Sequence, residues 1–433
     1  MHFILDAVEQ IPAGHWRVNH RGPGSEQYPP TMLLALLIYC YATGRLGSRT
    51  IEAATPSDVA GLYLCANHHP DHDSIRTFRR EDKAAFEAAF VTGLPLAQQL
   101  RLTRLGTVSV DGTKLQANAR KHTAVRYRRA GERITQLELE VKELTARAEA
   151  AEAKEAQAPL AIPAELARRE QRVESLKHAR QIIEAQAQER AAAKQAEPQA
   201  KVAARQAPRA AGKKPRGPEP KAPSAVPEPK AQYNFTDPES RIMKAGHGQH
   251  FAQAYNAPAA VDEAMLIVGQ RVSVVPHDKQ ELAVTVQAIS PVVFEAVRAV
   301  LADSGFYSAA AVLAVEQKSD GTPSGLTVYA AVGKQSHHPS VADLLPRPDP
   351  AALLENASAK EQMAHRLKTA PGQALYKLRQ QTVEPVFGII KAVLGFRRFL
   401  LRGWEKVSLE WLLVCVSYNC KRLFTLQQRA VAR

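Results

Sequence analysis

The chain has 433 residues, with 57 Lys and Arg against 43 Asp and Glu and a formal charge of +14, which is the electrostatic footprint of a protein that binds nucleic-acid phosphates. Its four cysteines lack metal-ligand spacing and its first residues lack the pattern of a signal peptide, so we expect neither a zinc site nor a secreted disulfide scaffold. The longest apolar run, residues 32–42, is too short to cross a bilayer, which favours a cytoplasmic protein without a membrane partner.

Residues 1–100 have the pattern of an all-α N-terminal domain. Pro30 predicts the start of an apolar helix that ends before Gly44, and a short helix follows over residues 48–54. Asp73 is predicted to cap the next helix. Three arginines of that helix are predicted to be exposed and to bind DNA, although a solvated face is the alternative: Arg76, Arg79 and Arg80.

A β pattern begins after residue 100 and contains Asp111. Val108 and Val110 form a β-branched run and Gly112 follows the carboxylate, which predicts that the strand stops at Asp111 and turns its side chain outward. A lone Asp-Gly pair is usually a turn. Asp111 therefore becomes a candidate site residue only in combination with the rest of the chain.

Residues 122–196 interrupt this β pattern with a predicted coiled-coil hairpin. The first of its two helices has apolar residues at alternating spacings of three and four: Ile134, Leu137, Val141, Leu144, Ala148 and Ala151. Residues 197–232 are basic, rich in proline and poor in apolar side chains, so we predict a disordered linker. It is either a tether or a nonspecific contact with DNA phosphates.

The pattern of residues 101–121 resumes over residues 233–425. Two strands near residues 251–262 and 264–275 are predicted to form an antiparallel meander with the strand of Asp111. A helix over residues 280–289, with Asp278 as its predicted N-cap, then leads to a strand that ends at Asp303. This order predicts that the two aspartates lie on neighbouring strands.

The third acidic candidate, Glu384, opens an amphipathic segment. Lys391 follows seven residues later, within about 20° of Glu384 on an ideal helix. Pro385 predicts that the helix begins or kinks at Glu384, which leaves Tyr376 and Arg379 in a separate turn. A basic cluster then precedes an apolar helix over residues 409–423 that is expected to cover the sheet: Arg397, Arg398 and Arg402.

Together these segments resemble the DDE-class transposases of bacterial insertion sequences. The likeness includes the three acidic segments and four further blocks, in the order of the family: YPPTMLLALLIYCYATGRLGSRTIEAA, HHPDHDSIRTFRRE, TDPESRIMKAGHGQHFAQAYNAPAAVD and GFRRFLLRGWEKVSLEWLLVCVSYNCKRL. It implies an α/β fold with an RNase H-like catalytic core and a mixed sheet, joined to the all-α N-terminal domain and the inserted helical coiled-coil hairpin. The Tyr-x2-Arg-x4-Glu-x6-Lys spacing is one residue longer than the family signature.

The resemblance also implies an activity. Asp111, Asp303 and Glu384 would bind Mg²⁺, with Mn²⁺ as a substitute, for DNA end cleavage and strand transfer. Lys391, Arg379 and Tyr376, together with the basic cluster at residues 397–402, would contact DNA. The expected partners are double-stranded DNA, as terminal inverted repeats and target, and a second copy of the chain, in the nucleoid.

Two alternatives remain open at this point. An RNase H-like nuclease would use the same carboxylates and stop at hydrolysis, and a noncatalytic DNA-binding relic would keep the fold without the chemistry. The chain has no glycine-rich Walker loop, so no nucleotide cofactor is expected.

Overall fold

The computed structural model describes residues 1–17, 27–152, 161–193, 224–244, 250–318, 320–333, 349–353 and 357–431. The chain divides into two compact units, Met1–Asn118 with Ser240–Arg433, and Ala119–Glu239. Residues 1–100, which the sequence assigns to a separate domain, belong to the same compact unit as the central sheet. Of the predicted linker over residues 197–232, the part up to residue 223 lies outside the described residues.

The N-terminal helices follow the predicted pattern. They are α1 (His2–Glu9), α2 (Pro30–Ala42), α3 (Ser48–Ala54), α4 (Val59–Leu64), α5 (His72–Glu81) and α6 (Lys83–Gln99). Pro30 lies in the first turn of α2, where no helical donor is needed, and Gly44 adopts φ +83° just after its end. The predicted cap of α5 is wrong by two residues. Asp71 precedes the helix, and its carboxylate accepts the N–H groups of Asp73 and Ser74.

The strands of the described chain are β1 (Thr107–Gln116), β2 (Ala124–Arg126), β3 (Gln232–Asn234), β4 (Arg241–Lys244), β5 (Phe251–Asp262), β6 (Ile267–Gln270), β7 (Ala299–Ala302) and β8 (Thr327–Ala330). In the first unit β1 pairs antiparallel with β5 and parallel with β7. The far edge of β5 pairs with β4 and β6, and β8 is parallel to β7. The predicted mixed sheet and the meander of β1, β5 and β6 are therefore confirmed.

Further helices of the described chain follow β6 in sequence. They are α9 (Glu281–Gln287), α10 (Pro291–Phe294), α11 (Ala309–Glu316), α12 (Ala359–Lys368), α13 (Ala370–Ala392) and α14 (Trp404–Val431). Helix α13 packs against β1, β5 and β7, and α9 packs against β5, β6 and β1. The expectation that the apolar helix over residues 409–423 covers the sheet is wrong for most of its length, because α14 packs mainly against α2 and α6 and less extensively against β6.

The second unit contains the two long helices α7 (Tyr127–Glu152) and α8 (Ala161–Ala193) beside the β2–β3 pair. The helices run antiparallel, since Glu138 pairs with Lys177 while Glu140 pairs with Arg169. Their shared core is fully formed near the β2–β3 pair, where Leu137 contributes to it, and farther out the predicted seam is only half-buried. Small side chains such as Ala148 contribute to that gradient, because an alanine removes less apolar surface from water than a leucine does.

Leu137 and Leu139 provide a matched test of this packing. Leu137 is 7% exposed in the α7–α8 core, whereas Leu139, two residues on, is 64% exposed. Leu137→Asp should lower the free energy of unfolding of this unit by about 3 kcal/mol, because it removes apolar burial and introduces an unpaired charge. Leu139→Asp should change it by less than about 0.5 kcal/mol. Thermal unfolding followed by circular dichroism measures both, and equal effects would contradict the assigned seam.

Candidate active site

Asp111 and Asp303 lie side by side on neighbouring strands of the sheet. Strands β1 and β7 are parallel with Val110 opposite Ala302, and each aspartate is the next residue along its chain. Asp303 follows the end of β7, as predicted, but Asp111 does not end β1. That prediction is wrong because β1 stays paired with β5 as far as Gln116, so Gly112 continues the strand instead of turning it.

The Asp111 carboxylate lies in a half-buried, polar environment. It accepts the N–H of Gly112 at 2.7 Å and forms an ion pair with Arg379, whose Nη1 lies 3.3 Å from Oδ2. Burial raises the pKa of Asp111 to about 6, while the Gly112 N–H and Arg379 act in the opposite direction and the neighbouring Asp303 carboxylate adds to the rise. The position therefore favours a cation that can hold this carboxylate in its charged form.

Helix α13 carries the third acidic residue, Glu384, without a break. The prediction that Tyr376 and Arg379 lie in a separate turn is wrong, and the helix does not begin at Glu384, because α13 runs over Ala370–Ala392 with Pro385 inside it. Proline removes one helical hydrogen bond. The buried apolar stripe on both sides of Pro385, which includes Val383 and Val386, packs this helix on the sheet and offsets that loss.

Arg379 connects the two acidic elements. Its Nη2 donates to Glu384 Oε1 at 2.7 Å, while Nη1 contacts Asp111 Oδ2 at 3.3 Å. The guanidinium side chain is only 13% exposed, whereas that of Glu384 is 47% exposed. Its Nε has no hydrogen-bond partner among the described residues. Arg379 thus joins β1 to α13 by charge and keeps one donor for a further acceptor.

Two more residues of α13 face the same electrostatic environment. Burial raises the pKa of Tyr376, an effect that Arg379 opposes and the Asp303 carboxylate reinforces. Burial lowers the pKa of Lys391, and the Asp111 carboxylate opposes that shift. Both residues therefore lie close enough to the two aspartates to interact with them. Their predicted contacts with DNA remain predictions.

Asp278 is a site residue that the sequence analysis misassigned. It does not cap a helix, since α9 begins at Glu281 without a side-chain cap. Its Oδ1 instead accepts hydrogen bonds from Lys114 Nζ at 2.7 Å and from Asn256 Nδ2 at 2.8 Å. Its negative charge also contributes to the raised pKa of Asp111. The acidic residue before the helix resembled a cap in every local respect. Only the pairing of β1 with β5, which places Lys114 opposite Asn256, brings its partners together.

The arginines of α5 do not share one environment. Arg76 is exposed and pairs with Asp73 at 2.8 Å, and Arg80 lines a surface cleft beside Lys83. The predicted exposure of Arg79 is wrong, because it is 4% exposed. The missed signal is Glu410, a lone charged residue within an apolar run, because a buried carboxylate needs a cationic or hydrogen-bonding partner. Arg79 is therefore a core residue and not a surface contact.

The basic cluster after α13 lies beside the end of β1. The backbone of Arg398 forms an isolated parallel β-bridge with Gln116. Arg402 Nε donates a hydrogen bond to the Asn118 carbonyl at 3.0 Å. Arg397 Nε donates to the Lys391 carbonyl at 3.0 Å. All three arginines are exposed. The end of β1 and the C-terminal end of α13 thus hold these cations in place, although their DNA-binding role stays a prediction.

The donor atoms suit a hard divalent cation, whose preferred ligands are carboxylate oxygens. In the described parts of the chain, however, no three His, Cys, Asp or Glu side chains already converge as a metal-binding group. The Arg379 guanidinium occupies the position between Asp111 and Glu384.

None of the described helices is both long and apolar enough to span a membrane.

Comparison with known proteins identifies the C-terminal part of the chain. No curated protein and no solved structure matches it. A family model described as the transposase DDE domain matches residues 351–424, a range that includes Glu384, Arg379 and the basic cluster at residues 397–402. Asp111 and Asp303 lie outside the matched range and are joined to it by the Arg379 ion pair and by the packing of α13 on β1 and β7. The resemblance to DDE-class transposases is confirmed by this match of residues 351–424 to the model of the transposase DDE domain.

Proposed function

We propose that this protein is a DDE transposase that cuts DNA at the ends of an insertion sequence and joins those ends to target DNA. The observation that carries the proposal is the meeting of three elements. Asp111 on β1 lies beside Asp303 after β7, and Glu384 on α13 is tied to Asp111 through Arg379. The family match falls on the element that supplies Glu384.

The sheet supports an RNase H-like core. Its order is β4-β5-β1-β7-β8, so the strand of the first aspartate is central, antiparallel to one neighbour and parallel to the other. The parallel neighbour presents the second aspartate at its C-terminal end, where ligands bind in parallel sheets. The glutamate comes from a helix packed across the same strands.

In the proposed reaction Asp111, Asp303 and Glu384 would hold Mg²⁺, or Mn²⁺ in its place. The ion would supply charge neutralisation for phosphoryl transfer. In the first step a water oxygen bonds to phosphorus and the 3′ oxygen leaves as a hydroxyl group. In the second step the oxygen of that 3′-hydroxyl bonds to a phosphorus of target DNA, its proton is lost, and the target's own 3′ oxygen leaves in line and is protonated to a hydroxyl group. Arg379 and Lys391 supply fixed positive charge beside the carboxylates.

The proposed partner is double-stranded DNA, as terminal inverted repeats and as target. The chain has a formal charge of +14, and the exposed arginines at 397, 398 and 402 lie beside the end of the strand that carries Asp111. Arg76 and Arg80 would contribute farther from the chemistry. These features suit a cytoplasmic enzyme that works on the nucleoid.

We further propose that a homodimer forms on DNA, since two ends must be brought together. The α7–α8 pair, interpreted as an inserted coiled-coil hairpin, is half-buried along its outer part and can gain apolar contact from a second copy. A spacer without a partner is the competing role. Sedimentation of wild-type protein and of Leu144→Asp, with and without end DNA, distinguishes the two roles. If the hairpin drives assembly, the variant should sediment at a lower mass than the wild type, and if it is a spacer, the two masses should be equal.

Strand transfer separates the transposase from the two alternatives. Full-length protein is incubated with Mg²⁺, a plasmid target and labelled DNA that already ends in a free 3′-hydroxyl at the element terminus. We expect covalent joining of the label to plasmid. A nuclease would degrade DNA without joining it, and a noncatalytic relic would retard the DNA on a gel without either reaction.

A further inference from the structure

The face of β1 opposite to Asp111 carries a second polar group. Side chains alternate along a strand, so Lys114 and Gly112 point away from Asp111. Asp278 lies over this face, where its carboxylate contacts Lys114 at 2.7 Å and Asn256 at 2.8 Å. The Lys114 and Asp278 side chains are 16% and 25% exposed. A carboxylate in so little water requires compensating charge.

The side-chain oxygen of Asn256 lies beside Asp278 and accepts no hydrogen bond from the described residues. The residue is fully buried, and its Oδ1 has no hydrogen-bond partner among the described residues. A Cβ at Gly112 would lie 3.0 Å from that oxygen and 3.1 Å from Asp278 Oδ1, so glycine leaves the two oxygens uncovered. An unsatisfied buried acceptor costs about 1–3 kcal/mol. A cation or its bound water would satisfy it.

The other oxygen of Asp278 faces Asp303. A Cβ at Gly305 would lie 3.8 Å from Asp278 Oδ2 and 2.9 Å from Asp303 Oδ1, so both carboxylates border the same small space. Asp303 accepts the Gly305 N–H but forms no ion pair within the described parts of the chain. By contrast, Asp111 and Glu384 share Arg379, and Asp278 has Lys114. The charge left without a counter-ion therefore lies at Asp303, next to Asp278.

We propose that Asp278 is a fourth carboxylate of the active site, that it binds the divalent cation together with Asp303, and that Lys114 is the counter-ion the cation displaces. Asn256 Oδ1 provides a neutral oxygen donor beside it. The inference rests on the proposed function, since it concerns a divalent cation bound at Asp303. In this proposal Asp278 binds the cation and Lys114 competes with it. Removing the Asp278 charge should therefore weaken cation binding, and removing the Lys114 charge should strengthen it.

Mn²⁺ affinity tests this directly, without any DNA reaction. Free Mn²⁺ is titrated by electron paramagnetic resonance against the full-length wild-type protein and its variants. Asp278→Asn should weaken binding by about tenfold, within the range seen when a supporting ligand group is lost. Lys114→Met should tighten it, and added Mn²⁺ should raise the melting temperature of Lys114→Met more than that of wild type. The control Asp320→Asn changes an exposed turn and should have no effect.

A purely structural Asp278 predicts a different pattern. If Asp278 only anchors the loop before α9, both variants should lower the melting temperature and neither should change Mn²⁺ affinity, which would overturn the proposal. Loss of Mn²⁺ binding in Asp111→Asn, with none in Asp278→Asn, would refute this inference and leave the proposed function intact. No Mn²⁺ binding by wild type would refute both.

Discussion

Asp111→Asn, Asp303→Asn and Glu384→Gln should each reduce Mg²⁺-dependent DNA cleavage by at least about 10³-fold, the scale of losing one charge-stabilising group in phosphoryl transfer. Each substitution removes a negative charge from a side chain of nearly unchanged shape. DNA affinity should stay near that of the wild type, because the arginines at 397, 398 and 402 are unaltered. Gel analysis of labelled DNA measures cleavage, and mobility shift measures binding.

Asp320→Asn is the matched control for these variants. Its carboxylate is exposed and caps a turn through Thr322, so cleavage should be unchanged. Melting curves of all four variants must overlay that of the wild type for the comparison to hold. If one of the three site variants cleaves at the wild-type rate, that residue is not part of the site, and Asp278 becomes the first candidate to replace it.

Arg79→Met should produce the largest loss of stability among the arginine variants. Arg79 donates to Tyr41 Oη at 3.1 Å and to the Leu46 carbonyl at 2.8 Å, and Tyr41 donates to Glu410 at 3.2 Å. Glu410 is fully buried and its burial raises its pKa, while Arg79 opposes that shift. Removing Arg79 leaves Glu410 without its nearby cation, held only by Tyr41 and by the N–H groups of Leu400 and Leu401, and we expect this to cost about 3 kcal/mol. Urea unfolding measures the change.

Arg76→Met and Arg80→Met are the comparison variants. Both arginines lie at the surface of the same helix, so each change should stay within about 0.5 kcal/mol. Adding Glu410→Gln to Arg79→Met should recover part of the lost stability, because the unpaired charge is gone. A stable Arg79→Met protein with weakened DNA binding would show instead that Arg79 reaches the surface and contacts phosphates.

Local patterns predicted many of the helices and the strands that neighbour β1. Pro30 and Gly44 determine the ends of α2, and the β-branched run before Asp303 locates β7, because these signals act through neighbouring residues alone. The position of Asp111 within its strand was not predictable in this way. The pairing of Gly112 with Pro258 keeps the strand extended, and that partner lies far away in the sequence.

The errors at the site have the same physical origin. Pro385 is a helix breaker by propensity, but the packing of α13 on the sheet outweighs one lost hydrogen bond. Asp278 has the sequence context of an N-cap, yet its partners Lys114 and Asn256 come from two other strands. Arg79 has the spacing of a surface residue and is buried by α14. Tertiary contacts decided all three.

Cleavage of the DNA that flanks the coding sequence tests the central claim most directly. Full-length protein is incubated with a labelled fragment that contains both flanks, in Mg²⁺ and in EDTA, and the products are mapped at nucleotide resolution. The proposed function predicts discrete cuts at the two element ends that require the divalent ion and disappear in Asp303→Asn. Bound but uncut DNA, in Mg²⁺ and in Mn²⁺ alike, would contradict it.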